Sequence, residues 1–328
     1  MDALVLPALR SGPALDRGQQ ALLALLRRLD HLGYDFVTVT PDTHRTVYHR
    51  DKDRLARSLR DLLGWSLPGR REDLDAEVLD LLEAAGALEE RLGLVASRLR
   101  VARLDGRLML HSAWPTREPD AVFLGPDSYR FARFIREAFP AEPPRRIVDI
   151  GGGCGAGALT AAALAPDASV EITDVNARAL RLAAVNAAHA GSPVTLRLTS
   201  GLQGVEPGFD LVLANPPFVK NSSKVYASGG GDHGEQLTLD WAAEALAGLA
   251  PGGRLLLYSG SAIQVGGEDP VRAGLYRIAA AAGARLTYEE LDPDIFGGML
   301  SSRDYAGVER IAAVGAVLVR GPQGANCG

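Results

Sequence analysis

The sequence predicts an α/β fold: a doubly wound, mostly parallel sheet of seven strands, preceded by a smaller, mainly helical unit that ends in a β-hairpin. Three observations predict it. Beyond residue 145, short apolar runs alternate with stretches of helical apolar spacing, the pattern of a parallel sheet with covering helices. Before residue 116 the apolar spacing is helical and then switches to period two around an Asp-Gly pair. Between the two lies the proline-bearing linker WPTREPD. A chain of 328 residues suits one medium domain plus a smaller one.

In chain order, ALLALLRRLDHLGYDF, DRLARSLRDLLGW and DLDAEVLDLLEAAGAL read as helices, the last with Asp73 as N-cap. Val95, Leu99, Val101, Leu104, Leu108 and Leu110 then flank Asp105-Gly106, a hairpin signal. The domain boundary falls near residue 116, giving an accessory unit over 1–115 and a sheet domain over 116–328. Its strands are RRIVDI, SVEITD, PVTLRLTS, FDLVLANPP, GRLLLYSG, ARLTYEELD and VERIAAVGAVLVR; its helices are GALTAAALA, NARALRLAAVNAAHAG, EQLTLDWAAEALAGLA and DPVRAGLYRIAAAAGA. No long helix separates the last two strands, which predicts a terminal hairpin with one antiparallel strand. SGGGDHGE at 228–235 is the single low-complexity tract.

Composition excludes several classes. Hydrophobic residues make up 47% and charged residues 23%, as in an ordinary globular protein. No run of 18 uncharged apolar residues predicts a membrane span, and the N-terminus, with an early Asp and no basic segment, predicts no signal peptide. The two cysteines, Cys154 and Cys327, fit neither a metal site nor a disulfide framework, so no metal and a cytoplasmic setting are expected. A net charge of −5 argues against a dedicated nucleic-acid binder. The oligomeric state is not legible.

VDIGGGCGAGALTAAAL runs an apolar strand into glycines 151, 152, 153, 155 and 157 and then a helix. Glycines allow a tight turn and let backbone N–H groups approach a ligand beyond the strands' carboxyl ends. Gly151, Gly153 and Ala156 satisfy the dinucleotide pattern G-x-G-x-x-G/A. Asp174, at the end of the next strand, can accept both hydroxyls of a ribose, whichever nucleoside cofactor carries it. It could also cap the helix that follows.

Asp149-x-Gly151-x-Gly153-x-Gly155 also resembles motif I of class I methyltransferases, which bind S-adenosyl-L-methionine in a Rossmann-like fold. The resemblance implies that Asp149 lies near the methionine end of the cofactor, where it would face a positive group and repel a pyrophosphate. FDLVLANPPFVK decides between the cofactors. The fourth strand ends in Asn215-Pro216-Pro217-Phe218, which resembles the (D/N/S)-P-P-(Y/F/W) motif of methyltransferases acting on amide or exocyclic amino nitrogens. Such a nitrogen is a poor nucleophile carrying two N–H donors. Asn215 offers a side-chain oxygen and Pro216 a rigid carbonyl to accept them, and Phe218 can stack on the planar group.

Phe123-Leu124-Gly125-Pro126-Asp127-Ser128-Tyr129 is similar to the aromatic and Asp-Ser/Thr segment that lids the cofactor in release-factor glutamine methyltransferases and their relatives, or else it caps the next helix. Asp127 and Ser128 therefore join Asp149, Gly151, Gly153, Gly155, Asp174 and Asn215 as expected cofactor-binding residues; Asn215, Pro216 and Phe218 are the expected catalytic ones. In LTSGLQG, Ser200 and Gly201 stand where that family commonly has an adenine-contacting Asp, so the adenine contacts stay unassigned. His233 receives no role. The resemblance covers roughly residues 120–320; the N-terminal match to that branch, whose helices and hairpin recognise a protein substrate, is architectural. The expected reaction is methyl transfer to a planar amide or amino nitrogen, foremost a protein glutamine-type amide. The alternatives are an RNA or DNA amino group, with HRDKDRLARSLR and PGRRE meeting phosphates, a small-molecule amine, or a non-catalytic module that binds a nucleotide cofactor.

Overall fold

The computed structural model describes residues 14–116, 118–220 and 229–321. The N-terminal unit holds helices α1 (Arg17–His31), α2 (Pro41–Arg50), α3 (Leu59–Leu63) and α4 (Ala76–Ala84), then strands β1 (Leu88–Arg91), β2 (Leu94–Ser97), β3 (Leu99–Leu104) and β4 (Arg107–Ser112). Asp16 and Gln19 close α1 with a reciprocal capping box. β3 and β4 pair about Asp105-Gly106, both at positive φ, as the twist of a two-residue hairpin requires.

The local expectations need four corrections. The periodicity of DRLARSLRDLLGW yields only the five-residue α3, because Asp61 accepts hydrogen bonds from Ser58 and the Arg57 backbone while Ala56 bridges to Gly69 in extended form. α2 has no apolar stripe; His44 is its one buried residue, so Thr40 and Pro41 start it without a periodic signal. The cap of α4 is Asp75, which accepts the Val78 N–H at 2.9 Å; Asp73 ends a 3-10 turn instead. Val95 belongs to a separate hairpin, β1–β2, turned by Leu92 and Gly93 at positive φ.

The second unit runs α5 (Pro126–Ala138), β5 (Arg146–Ile150), α6 (Ala156–Leu164), β6 (Ser169–Asp174), α7 (Ala177–Ala190), β7 (Val194–Leu198), β8 (Phe209–Ala214), α8 (Gln236–Gly248), β9 (Leu249–Gln264), α9 (Pro270–Ala281), β10 (Arg285–Asp292) and β11 (Val308–Val319). Its seven strands are ordered β10-β11-β9-β8-β5-β6-β7, and β11 alone runs opposite to the other six. That is the expected doubly wound sheet with its antiparallel terminal hairpin. One face carries α5, α6 and α7 over Ile147, Ile172, Leu211, Leu213 and Leu256; the other carries α8 and α9 over Val148, Ile150, Val212, Leu255 and Leu257.

The order reverses at β5, whose neighbours are β6 and β8, so a cleft opens beyond the carboxyl ends of these strands. The N-terminal unit docks on α7, and its apolar residues continue into the core of that face without a break. Gln19 donates to the Arg181 carbonyl at 3.0 Å. Asn186, fully buried on α7, accepts the Leu110 N–H at 2.8 Å and donates to the carbonyls of Leu110 and Cys154 at 3.2 and 3.0 Å.

Candidate active site

A cavity of about 400 Å³ occupies that cleft, within the range of small-molecule sites. It is lined by the glycine loop, Asp174, Asn215 to Val219, and residues from α5 and α8. The turn out of β5 is folded back by Gly152, which donates to the Thr173 carbonyl at 3.1 Å. Gly151 sits at φ +62, and a Cβ there would fall 2.3 Å from the Trp241 ring. Gly153 also has positive φ, but it faces open space. Gly155 does not line the cavity; at φ +91 it caps α6, a conformation only glycine adopts freely.

Asp149 is 1% exposed and accepts the Ala158 N–H at 2.7 Å. A Cβ at Gly157 would lie 2.8 Å from its carboxylate, so Gly157, which received no separate role in the sequence, makes room for the acid. Burial, helped by the charge of Asp174 and opposed by the Ala158 N–H, pushes Asp149 up to about 7. Asp174 accepts the Gly153 N–H at 2.9 Å and the Asn176 N–H at 2.8 Å, one on each oxygen. Burial raises its pKa as well. The N-cap of α7 is Asn176, which leaves the Asp174 carboxylate facing the cavity.

These groups fit S-adenosylmethionine. No cationic side chain pairs with Asp149 or Asp174 among the described residues, so the pair would suit a cationic ligand and repel a pyrophosphate. Each Asp174 oxygen keeps a lone pair for a ribose hydroxyl. Thr199, Ser200 and Gly201 line the cavity where the family commonly has an acid after the third sheet-domain strand. Glu244 of α8 accepts the Leu202 N–H at 2.7 Å and holds that loop, without itself lining the cavity. A carboxylate in the third turn of another helix could not be picked out from the loop's own sequence.

Asp127 and Ser128 stand in the first turn of α5 and line the same cavity. Asp127 accepts the Tyr258 hydroxyl at 2.7 Å, and burial raises its pKa against that hydrogen bond. Ser128 accepts the Gly125 N–H at 3.2 Å. Tyr258, fully buried on β9, carried no sequence signal beyond its strand. Cys154 is buried with its thiol toward the Phe123 carbonyl, and burial pushes it up to about 12, an inert thiol.

β8 ends at Ala214, and Asn215, Pro216, Pro217 and Phe218 follow into the cavity. Among the described residues, nothing hydrogen-bonds to the Asn215 side chain or to the Pro216 carbonyl. Phe218 is 9% exposed: its ring lies against Gly260, where a Cβ would come within 2.3 Å, and makes edge contacts with Tyr258 and Phe296. Tyr305 accepts the Lys220 N–H at 2.9 Å and donates to the His233 carbonyl at 3.1 Å, tying the two described ends of the acceptor loop together. His233 takes part through its backbone. Residues 221–228, including the first residue of SGGGDHGE, lie outside the described residues, as does Cys327. Among the described residues no cluster of metal-ligating side chains occurs, and no helix is long and apolar enough to cross a membrane.

The family model "Methyltransferase small domain" matches residues 122–264, which span the cavity's glycine loop and acceptor loop. A release factor glutamine methyltransferase from Cereibacter sphaeroides is 32% identical over 247 residues, covering 70% of this chain and 85% of that protein. One from Deinococcus radiodurans is 31% identical over 173 residues, 49% of this chain and 62% of its own length, so the chain spans less than two thirds of that relative. A ribosomal RNA small subunit methyltransferase C from Hahella chejuensis is 38% identical over 94 residues, 28% of each.

Proposed function

The chain belongs to the S-adenosylmethionine-dependent methyltransferases, in the family of the release factor glutamine methyltransferases, and on that premise we propose that it methylates a planar amide nitrogen, the side chain of a protein glutamine. The observation that carries this reading is the pair of unused acceptors at the cavity floor. The Asn215 side-chain oxygen and the Pro216 carbonyl have no hydrogen-bond donor among the described residues, and both line the cavity beside Asp149. An incoming NH2 group supplies the two donors they lack.

When bound, S-adenosylmethionine supplies an electrophilic methyl group. The chain's own residues do the rest. Asp149 faces the cofactor's ammonium, Asp174 takes the ribose hydroxyls, and Asp127 with Ser128 closes the cavity from α5. Asn215 and Pro216 would accept both hydrogens of the amide, turn its lone pair toward the methyl group and stabilise positive charge developing on nitrogen; the C–S electron pair stays on sulfur, and the methylated nitrogen gives up one of its two protons to solvent as the product leaves. The buried wall of Phe218 and Tyr258 keeps water from that end.

Loss of one such acceptor should cost roughly 10²–10³ in turnover. Asn215→Ala is therefore expected to bind S-adenosylmethionine within a few-fold of the parent in calorimetry, and to lose methyl transfer by that factor. Unchanged turnover would remove Asn215 from the mechanism. The short match to an RNA methyltransferase favours a second reading, an exocyclic amino group of RNA. It requires RNA binding that weakens steeply with salt.

A further inference from the structure

Phe218 carries the aromatic letter of the acceptor motif, but little of its ring is free. It is 9% exposed, seated on Gly260 and flanked by Tyr258 at 6.2 Å and Phe296 at 5.6 Å between ring centroids. Phe296 is different. It lines the same cavity, is 39% exposed, and stands nearly perpendicular to the Phe218 ring at 79°.

Its backbone is unusual too. Phe296 sits at φ 56, ψ 29, the left-handed region that bulky side chains avoid. Such a conformation persists only where the surroundings over-determine it, and it concentrates at functional sites. The surroundings here do so. Ile295, 6% exposed, donates its N–H to the Ile311 carbonyl at 2.7 Å, and the Phe296 carbonyl accepts the Met299 N–H at 2.8 Å. Arg310 holds the Pro293 carbonyl at 3.0 Å. At the far end of the same β10–β11 connection, buried Tyr305 grips Lys220, two residues beyond Phe218. The connection thus touches the acceptor loop at two points and projects one strained, half-exposed ring into the cavity.

We propose that Phe296 is the residue that stacks on the planar acceptor group, and that the β10–β11 connection, Pro293 to Gly307, is an acceptor-recognition element of the enzyme. Phe218 then serves as the fixed wall against which Phe296 is set edge to face. This rests on the planar-nitrogen reading above. It makes acceptor selectivity depend on a segment outside both sequence motifs.

The test uses the full chain saturated with S-adenosylhomocysteine and two probes, the blocked peptide Ala-Gln-Ala and 9-methyladenine, with binding followed by ligand-observed NMR. The parent is expected to bind at least one probe. Phe296→Ala and Phe296→Leu should weaken that probe roughly ten-fold or more, and Phe296→Tyr should restore it to within about three-fold, because a flat π-face is what is lost. S-adenosylhomocysteine affinity should be unchanged in all three. Phe296→Asn, whose side chain tolerates the left-handed region, should melt no lower than the parent. Probe binding unchanged in Phe296→Ala, no probe bound by the parent, an equal loss of S-adenosylhomocysteine affinity, or a Phe296→Asn protein that melts several degrees lower each overturns the proposal. Methyl transfer from labelled cofactor keeps the two claims apart. If the parent labels no nitrogen, the functional reading fails whatever the probes do; if it labels one and Phe296→Ala labels it equally fast, the ring assignment alone fails.

Discussion

Asp149 is a buried carboxylate without a cationic side chain beside it, and that fixes how the protein should respond to pH. Its ordinary unfolded value is about 3.9, and in the fold it is pushed up to about 7 by burial. Between those values the ligand-free folded protein holds a proton that the unfolded chain has released, so this residue makes stability fall as pH rises from about 4 to about 7 and adds no further change above that. Bound S-adenosylmethionine reverses the preference, because its ammonium favours the charged carboxylate. Cofactor affinity should therefore rise with pH up to about 7, by at most about ten-fold per unit. Calorimetry in buffers of different ionisation enthalpy should show close to one proton released on binding at pH 6, and fewer as pH approaches 7. Asp149→Asn should bind more weakly and lose this dependence. Proton uptake at pH 6 would place the cofactor's positive group elsewhere.

At the scale of elements, α7 is the joint of the molecule. Asn186 holds the β4 hairpin strand by both backbone groups of Leu110 and reaches the glycine loop at the Cys154 carbonyl. Asn186→Leu leaves three buried backbone groups without their partner, a loss of about 3 kcal/mol or more, visible as a lower denaturant midpoint at unchanged slope. It should also weaken S-adenosylmethionine binding, since one of the three bonds supports the loop. A midpoint shift with no change in affinity would show that the loop holds its shape unaided. The elements differ in how plainly the sequence announces them, and the difference is physical. β5 and β8 are mostly apolar runs buried on both faces, and Asp105-Gly106 can form only a narrow set of turns, so both were legible. α2 buries one residue and is defined by its cap, Thr40, and by Pro41. The β1–β2 turn puts Leu92 at positive φ, against its preference. The site shows the same divide. Residues carried on the two loops at the sheet edge meet in one cavity, whereas Phe296 reaches it from the β10–β11 connection, and Glu244 and Tyr258 support its walls from α8 and β9; no spacing along the chain links these three to it.

For the whole molecule, the N-terminal unit shares one continuous apolar core with the face of the sheet that carries α7. We propose that it is part of the enzyme's folding unit as well as its route to the substrate. The full chain should then melt in one calorimetric transition, while a fragment of residues 116–328 should expose the apolar side of α7 and aggregate or fail to fold. Two well-separated transitions in the full chain would show independent units. α2 also lies near the β10–β11 connection, where a Cβ added at Gly298 would come 3.7 Å from the Asp42 carboxylate, so a macromolecular acceptor entering at Phe296 would touch both units. The most direct measurement of the central claim is the identity of the methylated atom. The full chain, given S-adenosylmethionine with a deuterated methyl group and a cell lysate, should place the label on a glutamine side-chain amide nitrogen in a protein, and Asn215→Ala should abolish that signal in mass spectrometry of the digest. Label found on an RNA base, with none on protein, would contradict the account.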